Sequence, residues 1–168
     1  MTSHMEELTE VWKVGIGEYK VTPLPNCLKT IGLGSCVGVA IYDPFKRVGG
    51  LSHIMLPDST VFNGEVKAGK FADLAIPLMM EDMLNIGAKH HNLQAKISGG
   101  SSMFPLTNQL PQAQIGRRNI EAVKEILKKM KIPLLGENTG GSAGRTMWLD
   151  LEDMTTRIRI VNQEIIEI

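Results

Sequence analysis

The sequence predicts an α+β domain in which mixed β-sheets form a layered sandwich flanked by helices. Segments with strand patterning outnumber helical ones and do not alternate with them as a doubly wound fold requires. Gly occurs 17 times and Pro 8 times in 168 residues, which implies many tight turns rather than a helical bundle. Hydrophobic residues at 43% and charged residues at 21% match ordinary globular usage, so disorder and coiled coil are excluded. The length suits one hydrophobic core. Residues 11–168 are therefore assigned to a single domain behind a flexible N-terminal tail at residues 1–10.

Val11–Lys20 begins with loose alternation, and Cys27–Leu33 repeats it after a turn region at Pro23 and Pro25, so both are predicted strands. Val37–Tyr42 is apolar and β-branched without a helix capping signal, which predicts a buried strand. Asp43-Pro44-Phe45-Lys46 suits a type I turn, and Arg47–Leu56 returns as a strand closed by Pro57. From Val66 to Ile86 the spacing of Phe71, Leu74, Ala75, Leu78, Met79, Met83 and Ile86 follows the helical period. Gly87 stops that helix, and Pro77 should kink it. Leu93–Ser98 is a short strand running into Gly99-Gly100-Ser101-Ser102. Ile115–Lys131 is a second helix with Ile120, Val123, Leu127 and Met130 on one face, ended by Pro133. Leu134–Glu137, Arg145–Leu151 and Thr156–Val161 close the chain as strands, the first two separated by the glycine-rich residues 138–144.

Lys+Arg and Asp+Glu number 18 each, so no net charge is present to hold a phosphate backbone or an anionic membrane, and nucleic acid is not an expected partner. No apolar run reaches the roughly 20 residues that cross a bilayer, and the N-terminus is polar and acidic where a signal peptide is basic then apolar. A cytoplasmic protein without membrane insertion is expected. Cys27 and Cys36 are too few for a disulfide framework or a cysteine zinc site, and both are free thiols in a reducing compartment. Adjacent His90 and His91 point to opposite faces of an extended segment, and no phosphate- or ribose-binding motif is present, so neither a metal nor a cofactor is expected.

The chemistry-bearing constellation is the hairpin around Cys36. A turn at Asp43–Lys46 pairs Tyr42 with Arg47 and, by the same count, sets Cys36 directly across from His53. Directly opposed side chains in an antiparallel pair have Cβ atoms roughly 4.5–5.5 Å apart, so thiol and imidazole can share a proton. An imidazolium beside a thiolate lowers the thiol pKa and makes the sulfur a nucleophile near neutral pH. Gly32, Gly34 and Gly38 surround Cys36, which points to a tight backbone whose N–H groups at Gly34 and Ser35 form an oxyanion hole. The reaction so outlined is acyl transfer from a carbonyl through a thioester to water, with His53 protonating the leaving group. A buried small hydrophobe at Cys36 and a structural histidine at His53 are the commoner cases for these residue types, which by themselves leave both readings open. Cys27 has no opposed histidine and reads as buried.

The runs Thr30-Ile31-Gly32-Leu33-Gly34-Ser35-Cys36-Val37-Gly38-Val39-Ala40-Ile41-Tyr42-Asp43 and Gly49-Gly50-Leu51-Ser52-His53-Ile54-Met55-Leu56-Pro57 resemble the CheD family, the chemoreceptor glutamine deamidases of bacterial and archaeal chemotaxis. The resemblance continues through Lys96–Phe104, Ile115-Gly116-Arg117-Arg118-Asn119 and Gly140–Arg145, with Ser101 where the family often has Ala. It implies a fold resembling toxin-type cysteine deamidases and a triad of Cys36 as nucleophile, His53 as base and Thr30 as the residue that orients the imidazole. It also implies a protein-glutamine glutaminase that converts particular glutamines of methyl-accepting chemotaxis receptors to glutamate and releases ammonia. The phosphatase CheC is a further implied partner, and a binding module that docks CheC and receptors is the alternative function. For a receptor helix to present a glutamine to Cys36, a groove is needed. Gly99, Gly100, Ser101 and the glycines of 140–144 are its candidate walls, with Met103 and Phe104 as candidate apolar anchors.

Overall fold

The computed structural model describes residues 10–102 and 114–168. The run predicted as one strand at 11–20 is two. A turn at Gly15–Glu18, with Gly17 at φ 72°, separates β1 (Val11–Val14) from β2 (Tyr19–Pro23), and the two join different sheets. The chain continues through β3 (Cys27–Leu33), β4 (Val37–Asp43), β5 (Val48–Ile54), α1 (Ala72–Asn85), β6 (Gln94–Gly99), α2 (Ile115–Lys129), β7 (Leu134–Thr139), β8 (Arg145–Asp150), β9 (Thr155–Ile160) and β10 (Ile165–Glu167). The last of these, three residues paired antiparallel with β9, was too short to register as a pattern.

One five-stranded sheet has the order β1-β3-β8-β9-β10 and the other β2-β5-β4-β6-β7. Each holds one parallel pair, β1 with β3 and β6 with β7, among antiparallel neighbours, so both are mixed as the sequence predicts. β4 and β5 are buried along their whole length because both of their faces are covered. Ala40, Tyr42 and Leu51 on one face meet Val14, Leu28, Leu33, Met147 and Leu149 of the first sheet. Val37, Val39, Ile41 and Ile54 on the other pack with Ala75, Ile76 and Met79 of α1 and Val123 and Leu127 of α2. The result is three layers, sheet on sheet on helices, and the α+β class follows from it.

The periodic segment at 66–86 yields a shorter helix than predicted, since Ala68–Lys70 form a 3-10 turn before α1 begins. Its buried stripe is Ala72, Ala75, Ile76, Met79 and Met83, and the predicted core residues Leu78 and Ile86 are 38% and 45% exposed. At about 100° per residue those five side chains fall within one narrow arc of the helix, and Leu78 lies on its flank, outside that arc. Among the described residues no helix is long and apolar enough to cross a membrane.

Candidate active site

Gly34-Ser35-Cys36 carries the chain from β3 in one sheet to β4 in the other. Gly32 starts the crossing at φ 80°, a conformation that suits glycine. Every carbonyl of the crossing is held from outside. Gly34 C=O accepts the N–H and the hydroxyl of Ser101 at 2.8 and 2.9 Å, Ser35 C=O accepts Asn119 Nδ2 at 3.0 Å, and Cys36 C=O accepts the N–H of Gly100 at 2.8 Å. In a trans peptide the C=O and the following N–H point to opposite sides. Anchoring the carbonyls of Gly34 and Ser35 therefore turns the N–H groups of Ser35 and Cys36 away from those donors, and among the described residues no other residue accepts either one. Gly34 N–H, predicted with Ser35 as an oxyanion donor, instead donates to Gly32 C=O at 3.1 Å, so the free pair is Ser35 and Cys36.

His53, on β5, is fully buried in the layer between the sheets. Thr30 reaches it from β3 of the opposite sheet, with Oγ1 2.7 Å from His53 Nδ1. The Thr30 hydroxyl donates its single hydrogen to Val14 C=O at 2.8 Å, so toward the imidazole it acts as an acceptor and Nδ1 must carry the proton. The bare lone pair is thereby assigned to Nε2, a buried atom without a hydrogen-bond partner among the described residues. Burial lowers the imidazole pKa from 6.5 to about 4, so His53 is neutral at physiological pH.

The predicted pairing of Cys36 with His53 needs correction. Asp43 is the last residue of β4 and pairs with Val48, so the turn occupies Pro44–Arg47. The cause is the Asp43 carboxylate. Its Oδ1 accepts the N–H groups of Phe45 and Lys46, its Oδ2 those of Lys89 and the Asn92 side chain, and Arg47 adopts φ 54° to close the turn. His53 consequently faces Gly38, and Cys36, one residue before β4, is diagonal to it. Because strand side chains alternate, a displacement of two places leaves thiol and imidazole on the same face, at the spacing of diagonal neighbours, roughly 7–8 Å, rather than in direct opposition.

The expected imidazolium–thiolate pair is also corrected. Burial raises the Cys36 thiol pKa, partly offset by its own backbone N–H, while burial lowers that of His53. Removing two groups from water disfavours both charges, so the resting pair is thiol and neutral imidazole. A neutral pair of this kind can ionise its thiol by proton transfer to Nε2 as the sulfur reacts.

The other candidates fall into place around this loop. Gly99, Gly100 and Ser101 are buried and support it from within. A Cβ on Gly99, at φ 103°, would stand 2.3 Å from Cys36 C=O, and one on Gly100 would stand 2.9 Å from Gly116 C=O. Their lack of bulk serves backbone packing, not the wall of an open groove. The second glycine segment is tied to the first, with Gly140 N–H donating to Gly99 C=O and Ser102 N–H to Gly141 C=O. Met103 and Phe104 lie outside the described residues. Cys27 is 6% exposed, and burial together with the Asp150 charge pushes its thiol up to about 11, which suits an inert core residue. His90 Nε2 lies 2.7 Å from Met130 C=O at the end of α2. Sequence reasoning missed Asn119 and Arg145. Arg145, 7% exposed, donates to Asn138 Oδ1, Gly99 C=O and Gly140 C=O, and so clamps both glycine segments. Asn119 was legible as a polar residue on the buried helical stripe of Gly116, Val123 and Leu127.

A half-buried thiol beside unshared amide N–H groups, with a buried neutral imidazole on the same face, is the equipment of thiol-dependent acyl-transfer hydrolases. Comparison with known proteins places the chain more narrowly. Residues 55–160 match the family described as CheD chemotactic sensory transduction. The chain is 49% identical over 162 residues to a Clostridium kluyveri protein named probable chemoreceptor glutamine deamidase CheD, covering 96% of this chain and 99% of that one. A protein of the same name from Desulforamulus reducens is 50% identical over 149 residues, covering 89% and 90%. The chain belongs to the CheD family. Among solved structures, the Bacillus licheniformis hypothetical protein YfiH is similar at 17% identity and a TM-score of 0.43, over 79% of this chain and 60% of that one.

Proposed function

We propose that this chain is a protein-glutamine glutaminase acting on the cytoplasmic part of chemoreceptors, with Cys36 as nucleophile, His53 as general base and acid, and Thr30 as the residue that sets the imidazole tautomer. The observation that carries the reading is the hydrogen-bond relay from His53 Nδ1 through Thr30 to Val14, which leaves Nε2 as the proton acceptor on the face shared with Cys36. The names of the relatives supply the substrate class.

In this mechanism Cys36 passes its S–H proton to His53 Nε2 as the sulfur attacks the side-chain amide carbon of glutamine. The carbonyl oxygen takes up negative charge and is met by the N–H groups of Ser35 and Cys36. The C–N bond breaks, Nε2–H protonates the departing nitrogen, and ammonia leaves a thioester on Cys36. Water, deprotonated by Nε2, attacks the thioester, and collapse returns the proton to the sulfur and releases glutamate. Cleaving the amide consumes one water, and no redox step is involved.

The test is incubation with a purified receptor cytoplasmic domain, read by the mass increment of amide-to-acid conversion at glutamine. Cys36→Ala abolishes the conversion and Cys27→Ala retains most of it. Full activity in folded Cys36→Ala would refute the assignment. A CheC-type phosphatase recognised by the same surface inhibits competitively with receptor, and independent binding of the two would remove that partner from the proposal while leaving the enzyme.

A further inference from the structure

Asn119 stands on α2, far in sequence from the nucleophile loop, yet it is fully buried and its side-chain amide donates at 3.0 Å to Ser35 C=O and at 2.9 Å to Met55 C=O. Both hydrogens of Nδ2 are thereby used, which also settles the amide orientation, since a flipped group would press Oδ1 against two carbonyl oxygens. Oδ1 is left buried and unpartnered among the described residues. An unpaired buried carbonyl is unfavourable, and an apolar side chain of similar size would avoid it, so packing alone does not account for asparagine here. The two carbonyls it serves are differently placed. The Met55 backbone is also held through its N–H to Lys70 C=O, and neighbouring His53 is fixed through its N–H to Glu18 C=O and its ring to Thr30. Among the described residues Asn119 is the donor on Ser35 C=O. The Ser35–Cys36 peptide is the one whose N–H lies beside the sulfur, and in a trans peptide that N–H must point away from the carbonyl that Asn119 holds.

We infer that Asn119 is a positioning residue for the oxyanion site, holding the Ser35–Cys36 peptide so that Cys36 N–H faces the reacting carbonyl. The inference rests on the acyl-transfer reading of Cys36. Without Asn119 the Ser35–Cys36 peptide loses the donor on its carbonyl and can tilt between its anchored neighbours, and the loss falls on the step that develops an oxyanion, not on thiol reactivity as such. Alkylation by iodoacetamide separates the two, because displacement at a saturated carbon creates no oxyanion.

The experiment compares Asn119→Ala with the unaltered chain in steady-state deamidation of the receptor cytoplasmic domain and in iodoacetamide labelling of Cys36 across pH. Removing an oxyanion donor outright costs about 100- to 1000-fold in kcat, so loss of its alignment is expected to cost roughly 10- to 100-fold. KM and the alkylation profile stay within about twofold, the signature of an interaction made only in the transition state. An unchanged kcat overturns the inference. So does a parallel fall in kcat and alkylation, which would place the effect on the imidazole or on folding. Should Asn119→Ala fail to fold, Asn119→Ser, with a single short donor, is measured the same way, and failure of both to fold assigns Asn119 a purely structural role and overturns the proposal. Retained deamidation in folded Cys36→Ala is a different failure, since it removes the acyl-transfer reading beneath it.

Discussion

Protonating His53 must destabilise the fold, and the size of the effect follows from its burial. The imidazole takes a proton at about 4 in the folded chain and at its ordinary value of 6.5 when unfolded. Between those values the unfolded state binds a proton that the folded state refuses. Stability therefore falls as pH drops from about 6.5 to about 4 and is retained above that window. At about 1.36 kcal/mol per pH unit the loss amounts to ~3 kcal/mol by pH 4, a large share of the total stability of an ordinary domain. The assay is urea unfolding of the unaltered chain and of His53→Asn at several pH values from 7 to 4. The carboxylates titrate alike in both proteins, so they cancel in the difference. His53→Asn keeps a donor near Thr30 but cannot titrate, and its stability relative to the unaltered chain rises by about 3 kcal/mol over that range. The deamidation rate of the unaltered chain falls over the low end of the same range, as neutral Nε2 is lost. A flat stability difference between pH 7 and 4, or an acid limb of activity near neutrality, would refute a buried neutral imidazole.

Thr30→Val removes the acceptor that assigns the Nδ1–H tautomer, and loss of one net hydrogen bond of about 1–1.5 kcal/mol corresponds to roughly a tenfold fall in kcat. Nitrogen chemical shifts of the imidazole check the tautomer, and an unaltered tautomer with unaltered kcat would remove Thr30 from the mechanism. Gly99→Ala drives a Cβ into Cys36 C=O at a left-handed position, so it lowers stability by at least about 2 kcal/mol in urea unfolding and displaces the loop, with kcat falling alongside. Arg145→Lys replaces a planar fork that serves three acceptors with one ammonium and costs about 2–4 kcal/mol, read as a lower urea midpoint at unchanged m-value.

Much of this site is local in origin, and that portion was legible. The segments Cys27–Leu33 and Val37–Tyr42 declare themselves as strands through apolar patterning, and the glycines between them announce a tight crossing at Cys36. Alternation along β4 and β5 sends Cys36 and His53 to one face whether the turn begins at Asp43 or at Pro44, which is why an error of two places in the register leaves that conclusion intact. The register itself depended on Lys89 and Asn92 reaching the Asp43 carboxylate from far along the chain. Which arc of α1 faces the sheet, that of Ala72, Ala75, Ile76, Met79 and Met83, was set by packing against the layers, since the apolar spacing also admitted an arc through Leu78. Family resemblance singled out Thr30, but nothing within β3 says that its hydroxyl meets an imidazole, because the two strands belong to different sheets and the contact forms only when those sheets stack. Asn119 and Arg145 are the same case at greater sequence distance. Backbone pattern is written in spacings of two to four residues and can be read in order, whereas the partner of a buried donor is whichever carbonyl the packed layers bring within about 3 Å, and that is decided by the whole core at once.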